Sequence, residues 1–159
     1  MIYSNPANLA IIACPGGKVF ADEVINHLER LYRKNSKRVA ADLARRYNLS
    51  SDKVIEQIQF INEIVNPQNG NKNSPKFKIP VKFVSFPNGE IKSEILESIR
   101  GKDTYIFQDV ENRYPVHFSN IDGGKILTIN DHLMTLFVTI DAVKQAGAQQ
   151  ITLVIPNYP

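Results

Sequence analysis

This 159-residue chain has one cysteine, no long apolar run and a small net charge. Each of these features excludes a class of protein. Cys14 is the only cysteine, which excludes an internal disulfide and any metal site built from clustered cysteines. No apolar run approaches the roughly 20 residues that a membrane-spanning helix needs. The first residues carry neither the basic region nor the cleavage site of a signal peptide. We therefore expect a cytoplasmic protein with no membrane partner.

The composition is that of an ordinary globular domain, with 43% hydrophobic and 22% charged residues. At this length one domain with a substantial core is expected. The net charge is only +3, yet seven basic and two acidic residues fall between Arg33 and Lys53. We interpret this segment as a solvated helix face and do not expect nucleic acid as a partner. The alternative is an adaptor surface for RNA or an acidic protein.

The spacing of apolar residues predicts an α/β fold. An apolar run at 9–13 ends in a Cys-Pro-Gly-Gly turn and is followed by helical periodicity over 19–32. Strands are predicted at 81–86, 104–108 and 150–155, whereas residues 90–99 fit a strand or a helix equally well. Strands that alternate with helices of this length indicate a mainly parallel sheet flanked by helices.

The last predicted helix precedes the final strand. Asn130 or Asp131 is expected to cap its start, and Gly147 to end it. The side chains expected to face inward are Leu133, Phe137, Ile140 and Val143.

Residues 34–75 interrupt this alternation. Val39, Leu43 and Tyr47 share one helical face, and Ser50-Ser51 is a cap signal for a second helix. The polar, proline-containing stretch 66–75 is expected to be a loop. We interpret 34–75 as an inserted helical hairpin with its return loop.

Several familiar motifs are absent or incomplete. Gly16-Gly17-Lys18 lacks the first glycine and the following Ser or Thr of a phosphate-binding P-loop. The histidines His27, His117 and His132 have no metal-ligand spacing and are expected on the surface or on helix faces. Cys14 is expected to be a small buried hydrophobe rather than a nucleophile.

Three stretches resemble the N-terminal domain of ribose-phosphate pyrophosphokinases. Residues 86–90, FPNGE, are similar to that family's F-x-[DN]-G-E pattern, and residues 97–108, ESIRGKDTYIFQ, are similar to its E-S-[IV]-R-G-x-D and the strand that follows. Residues 130–156 resemble its N-[DE]-x-[LIM]-M-E-L helix, its D-A-[LC]-K-x-A-x-A helix end and its V-I-P strand. The resemblance covers 9–32, 80–110 and 129–159, in order, and implies a phosphoribosyltransferase-like fold for residues 1–159.

The chain also departs from the family pattern. Segment 34–75 is an insertion, the loop at 112–127 is longer than usual, and Thr135 replaces the usual Glu after Met. The family's Arg-Gln pair, metal-binding His, catalytic loop and ribose-phosphate loop all come after the position of Pro159. We therefore expect a domain fragment, or a truncated relative, without the C-terminal catalytic domain.

By resemblance, Phe86 stacks on the adenine of ATP, while Asn88 and Glu90 form hydrogen bonds to its edge and surroundings. Arg100 and Asp103 tie down a turn near the family's allosteric phosphate site, so a regulatory role is the alternative for them. No catalytic residue and no metal ligand is assigned. ATP and Mg²⁺ belong to the parent enzyme, and neither is expected to be bound firmly by this fragment.

The resemblance implies a kinase-type transferase of nucleotide biosynthesis. The family transfers diphosphate from ATP to ribose 5-phosphate, with magnesium, and makes phosphoribosyl pyrophosphate. This chain is expected to supply the adenine-side loop and the contacts of a homo-oligomer, and to be inactive alone. The alternative is a non-catalytic, synthase-associated regulatory subunit.

Overall fold

The computed structural model describes residues 8–65 and 75–157. A short 3-10 turn at Pro15–Gly17 joins the first strand to the first helix. The strands are β1 Leu9–Ala13, β2 Val81–Ser85, β3 Ile91–Ile95, β4 Asp103–Phe107 and β5 Gln150–Val154, and the helices are α1 Lys18–Tyr47, α2 Ser51–Val65 and α3 Ile129–Gln145.

The strands form a parallel sheet and a separate hairpin. β4 pairs in parallel with β1 on one side and with β5 on the other, whereas β2 and β3 pair antiparallel. The predicted α/β class with a parallel sheet is confirmed. Residues 91–95, whose spacing left strand and helix open, form a strand because they pair with β2 along its whole length.

The chain divides into two compact units. The sheet unit consists of the described residues up to Glu23 and from Lys78 onward, and it holds all five strands and α3. The helical unit is Val24–Phe77, which contains most of α1 and all of α2.

The core of the sheet unit is a large apolar cluster. Its fully buried members include Ile12 on β1, Ile106 on β4 and Leu136 on α3. Burial of such side chains contributes about 1.5–3 kcal/mol each. This cluster fixes the positions of the loops that leave the strands.

The helical unit has a smaller buried cluster, formed by Ala40 and Ala44 of α1 and Val54 of α2. Two alanines let the helix backbones approach closely but bury little apolar area. The predicted second helix at Ser51 is confirmed. The sequence suggests one helix at 19–32 and a separate helical hairpin from residue 34, whereas α1 continues without interruption to Tyr47. The loop predicted at 66–75 lies, up to residue 74, outside the described residues.

One detail of the predicted faces is also wrong, since Phe137, expected to face inward, is 57% exposed. Tyr47, on the same helical face as Val39 and Leu43, is exposed at the end of α1. The buried face of α3 is largely polar, since it carries His132, Thr135 and Thr139 beside Leu136 and Val143. Apolar periodicity misplaced this face because hydroxyl and imidazole groups stand at the core positions.

The ends of α3 are clear from its capping groups. Thr128, rather than Asn130 or Asp131, is the N-cap, and Asp131 at the third helical position completes a capping box with it. Gly147 follows the helix end with a positive φ of 82°, as its predicted role requires. Among the helices of the described residues, none is both long and apolar enough to cross a membrane.

Candidate functional site

The hairpin between β2 and β3 carries the residues expected to contact adenine. The Phe86 amide donates to the Glu90 carbonyl at 2.8 Å and the Gly89 amide to the Phe86 carbonyl at 2.9 Å. Gly89 has a φ of 90°, which an L side chain rarely adopts. Asn88 Oδ1 accepts from the Glu90 amide at 3.1 Å. The tip is therefore a tightly bonded turn that presents Phe86, with 41% of its surface exposed.

The tip leaves polar groups available to a ligand. Among the described residues, the Asn88 amide nitrogen and the Glu90 carboxylate have no hydrogen-bond partner. An aromatic face beside an amide donor and a carboxylate acceptor can stack on a base and bond to its edge. The structure thus brings Phe86, Asn88 and Glu90 together on one exposed turn.

The loop before α3 supports this hairpin through Asn120. Its Oδ1 accepts from the Ser85 amide at 3.1 Å, and its Nδ2 donates to the Ser85 carbonyl at 2.8 Å. The hydroxyl of Ser119 donates to the Phe83 carbonyl at 2.8 Å, and Lys125 Nζ donates to Ser85 Oγ at 3.1 Å. The segment 112–127 therefore fixes the end of β2, directly before Phe86. Sequence reasoning missed Asn120 because nothing in its neighbourhood marks it.

Arg100 and Asp103 lie elsewhere, at the turn into the amino end of β4. Arg100 is exposed, and its side chain passes 3.6 Å from the position that a Cβ on Gly147 would take. The Gly101 amide donates to the Gly147 carbonyl at 2.9 Å. Asp103 begins β4 between Leu9 and Gln150. The backbone bonds of this turn join β4 to the end of α3.

At the carboxyl end of β4, the buried side chains of Gln108 and His132 connect α3 to the loop that follows the strand. Gln108 Nε2 donates to the His132 carbonyl at 3.0 Å and lies 3.3 Å from His132 Nδ1. His132 Nε2 lies 3.0 Å from the Asn112 carbonyl, an acceptor, so the ring proton is on Nε2 and Nδ1 accepts. His132 lies on a face of α3, as one of the two expected positions, but that face is buried and the side chain is fully enclosed.

Cys14 is fully buried, as its sequence context predicts. Its sulfur lies 3.6 Å from the hydroxyl of Thr139, which also bonds to Ser93 at 2.9 Å. Burial raises the pKa of the Cys14 thiol to about 12, and the Thr139 hydrogen bond offsets only part of this rise. A thiol that stays protonated at neutral pH is a poor nucleophile.

The resemblance implies a reaction with magnesium, which would need a set of oxygen ligands to hold it. Magnesium requires several oxygen ligands in nearly octahedral geometry. Within residues 8–65 and 75–157, no three His, Cys, Asp or Glu side chains converge to hold a metal ion. These described residues therefore form no all-protein cage for magnesium.

Known proteins resemble this chain at two levels. The "Ribose-phosphate pyrophosphokinase" of Synechococcus elongatus is 42% identical over 73 residues, which is 46% of this chain and 18% of that protein. The protein of the same name from Bacillus subtilis is 37% identical over a match with the same coverage. The matched region thus spans less than a fifth of these relatives. A crystal structure of phosphoribosylpyrophosphate synthetase from Mycobacterium smegmatis aligns with a TM-score of 0.48 and 20% identity, covering 96% of this chain and 30% of that one.

The match to the family as a whole is more extensive. The sequence profile described as "N-terminal domain of ribose phosphate pyrophosphokinase" matches residues 9–159. The matched range includes β1 and all the stretches that carry the resemblance. It begins at the first residue of β1. The chain therefore belongs to the family of N-terminal domains of ribose-phosphate pyrophosphokinases.

Proposed function

We propose that this chain works as the N-terminal domain of an enzyme that transfers diphosphate from ATP to ribose 5-phosphate. Its part in that reaction is to present Phe86, Asn88 and Glu90 to the adenine of ATP. The observation that carries the proposal is the exposed aromatic ring of Phe86 on a turn closed by three hydrogen bonds. A preorganised turn loses little conformational entropy when it binds a base.

The energy available from this turn is modest. Stacking of one base on an aromatic side chain is worth about 1–3 kcal/mol. The amide of Asn88 and the carboxylate of Glu90 add orientation because they can bond to the polar edge of adenine. On this account the isolated chain binds ATP weakly, and the phosphate-binding and catalytic groups come from elsewhere in the enzyme.

ATP, ribose 5-phosphate and further copies of the chain are the partners that this proposal requires. Arg100 and Asp103 have a different place in it, since a regulatory phosphate can bind an exposed guanidinium at a turn. We assign them to that role together with their structural one. Sedimentation of the chain with and without inorganic phosphate tests the self-association and the phosphate-binding role of Arg100 together. We expect self-association that depends on Arg100.

Titration of the isotope-labelled chain with ATP tests the adenine role. The backbone amide signals of residues 86–90 should shift, and Phe86→Ala should abolish the shifts because it removes the stacking surface. Phe137→Ala is the matched control, since Phe137 is also an exposed aromatic residue but lies on α3. Shifts that persist in Phe86→Ala contradict the proposed role.

An activity assay addresses the reaction itself. The 159-residue chain, incubated with ATP, magnesium and ribose 5-phosphate, should form no phosphoribosyl pyrophosphate. Phosphorus NMR measures the product directly. Sustained turnover by this chain contradicts the view that it supplies only one side of the active site.

A further inference from the structure

A cleft of about 670 Å³ opens on the sheet unit between the start of α1 and the loop after β4. Its first wall is formed from residues 15–23 and its second wall from residues 109–117. Small-molecule sites in proteins have volumes of several hundred Å³. The cleft is lined by none of the residues assigned above to ATP or to regulation.

The cleft lies where parallel sheets commonly bind ligands. β1 has a parallel partner on each edge: β4 on one side and, on the other, Lys78, which bridges Ile11. After β1 the chain first returns at Lys78 on one edge of β1, and it reaches the opposite edge only later, with β4. The two walls follow the carboxyl ends of β1 and β4. Ligands of open α/β sheets bind at such a switch in strand order.

The close contact between the walls explains the glycines of the first one. A Cβ on Gly16 would lie 2.7 Å from the Asp109 carbonyl oxygen and 2.8 Å from His132 Cε1, and one on Gly17 would lie 2.5 Å from the Phe107 carbonyl oxygen. The turn before α1 therefore packs directly on the residues that begin the second wall. Only glycine permits this approach, which brings the start of α1 to the end of β4.

The first wall offers positive potential. The first turn of α1 contains no acidic residue, and Cys14, ahead of the 3-10 turn, forms no side-chain cap. The partial positive charge at the helix start is therefore not offset by a carboxylate within that turn. The ammonium group of exposed Lys18 adds a full charge. Phosphate groups bind favourably at such helix starts.

Both walls contribute aromatic surface. Tyr114 is 77% exposed on the second wall, and Phe20 is 38% exposed on the first, with its ring 5.6 Å from that of Phe107. Exposed rings within a cleft offer faces on which a flat ring can stack. Arg113 and His117 stand on the same wall as Tyr114.

The acidic side chains of the cleft restrict the kinds of ligand that it can bind. Glu23, Asp109 and Glu111 line it, and Asp109 Oδ1 already accepts from the Glu111 amide at 3.1 Å. Carboxylates repel a bare multivalent anion but accept hydrogen bonds from hydroxyl groups. They favour a ligand whose anionic charge is confined to one end.

A buried polar group lies directly behind the first wall. Gln108 is fully buried, and its Oε1, without a hydrogen-bond partner among the described residues, lies 2.9 Å from the position that a Cβ on Gly16 would take. A side chain at position 16 would therefore push against this oxygen, which is a second reason for glycine there.

We propose that this cleft binds a phosphate monoester that carries a flat ring, the chemical class that includes nucleoside monophosphates. The phosphate lies at the start of α1 beside Lys18, and the ring lies between Phe20 and Tyr114. The carboxylates accept from any hydroxyl groups between them. This inference is independent of the proposed function, since the 86–90 hairpin takes no part in it.

Titration of the isotope-labelled chain with phenyl phosphate tests the site. Saturable shifts of the amide signals of residues 16–20 and 113–117 are expected. Inorganic phosphate and phenol each lack half of the ligand and should bind about tenfold more weakly or worse, a difference of about 1.4 kcal/mol. Uridine 5′-monophosphate, whose hydroxyl groups can reach the carboxylates, should bind at least as tightly as phenyl phosphate.

Two matched pairs of variants locate the binding groups. Lys18→Gln should weaken phenyl phosphate binding about tenfold, whereas Lys92→Gln, which removes a charge that is 58% exposed on β3, should leave it unchanged. Tyr114→Ala should weaken it about fivefold or more, whereas Phe137→Ala should not. Signals that shift only outside the cleft, or an affinity that neither Lys18→Gln nor Tyr114→Ala lowers, would overturn the proposal.

Discussion

The sheet unit and the helical unit are stabilised in different ways. In the sheet unit a large apolar cluster surrounds buried polar side chains, among them Gln108, His132 and Thr139. The described part of the helical unit has a small cluster of Ala40, Ala44 and Val54, with charged residues paired along α1. Buried polar groups allow few alternative arrangements because each needs its own partner. The sheet unit is therefore the part whose loops are precisely positioned, and it is the part that carries both candidate sites.

Core truncation should give the largest difference between the units. Leu136→Ala should lower the free energy of unfolding of the sheet unit by about 3 kcal/mol, because it leaves a cavity beneath α3. Val54→Ala removes two methyl groups and should cost the helical unit about 1.5 kcal/mol. Amide hydrogen exchange under native conditions measures each unit separately.

The same exchange experiment tests whether the two units unfold independently. If Val54→Ala accelerates exchange in β4 as much as Leu136→Ala does, the two units unfold as one and their cores cannot be considered separately. Exchange that accelerates only in α1 and α2 keeps the distinction.

Loss of the Asn120 side chain should rank next. Asn120→Ala leaves both backbone groups of buried Ser85 without their partner and should cost about 2 kcal/mol in unfolding free energy. It should also increase exchange at the amides of the 86–90 hairpin, since the bonds that fix the end of β2 are lost. Asn130→Ala, at an exposed position of α3, is the control and should change neither quantity.

These polar contacts mark the limit of what the sequence could predict. Apolar spacing located every strand except β3, and the FPNGE stretch placed Phe86 on a turn, because both depend on neighbours in sequence. The partners of Asn120 and His132 lie 35 and 20 or 24 residues away, so no local pattern could identify them. For the same reason the polar inner face of α3 was missed.

The cleft was missed for a related cause. Gly16-Gly17-Lys18 does not match the P-loop pattern, yet the structure places it beside residues 109–117 by folding β1 next to β4. The proximity of two loops at one sheet edge follows from strand order. Strand order was not contained in the spacing of apolar residues.

The capping box of α3 should show a smaller, pH-dependent effect. The backbone amide and the hydroxyl of Thr128 both donate to Asp131 Oδ2, at 2.9 and 2.8 Å, and they lower the pKa of the Asp131 carboxyl below its ordinary value of 3.8. Asp131→Ala should cost about 1 kcal/mol at neutral pH. Because the folded pKa is the lower one, this contribution is complete above pH 3.8 and is lost as the pH falls through the folded value.

Urea unfolding from neutral pH to below pH 3 measures the effect of Asp131→Ala. The gap between the wild-type chain and the variant should close at the acidic end. Asp122→Ala, an exposed aspartate in the loop before α3, should leave the unfolding free energy unchanged at neutral pH. A gap that stays constant to the lowest pH shows that the carboxylate charge does not contribute to the cap.

The smallest effect is expected on the surface of the helical unit. Arg46 and Asp42 of α1 form an exposed ion pair at 3.0 Å, one helical turn apart, with 69% and 49% of their side chains accessible. Such pairs contribute about 0.3–0.5 kcal/mol because water and salt screen them.

Arg45 is equally suited to the last turn of α1 but has no ion-pair partner among the described residues. Arg45→Ala therefore removes the same interaction with the helix dipole and leaves the Asp42 pair intact. The extra loss in Arg46→Ala, measured by urea unfolding at low salt, should be about 0.3 kcal/mol and should vanish in 1 M salt. If the loss at low salt exceeds about 1 kcal/mol and disappears in 1 M salt, surface charge contributes as much to the helical unit as its cluster of Ala40, Ala44 and Val54, and the contrast with the sheet unit has to be restated in those terms.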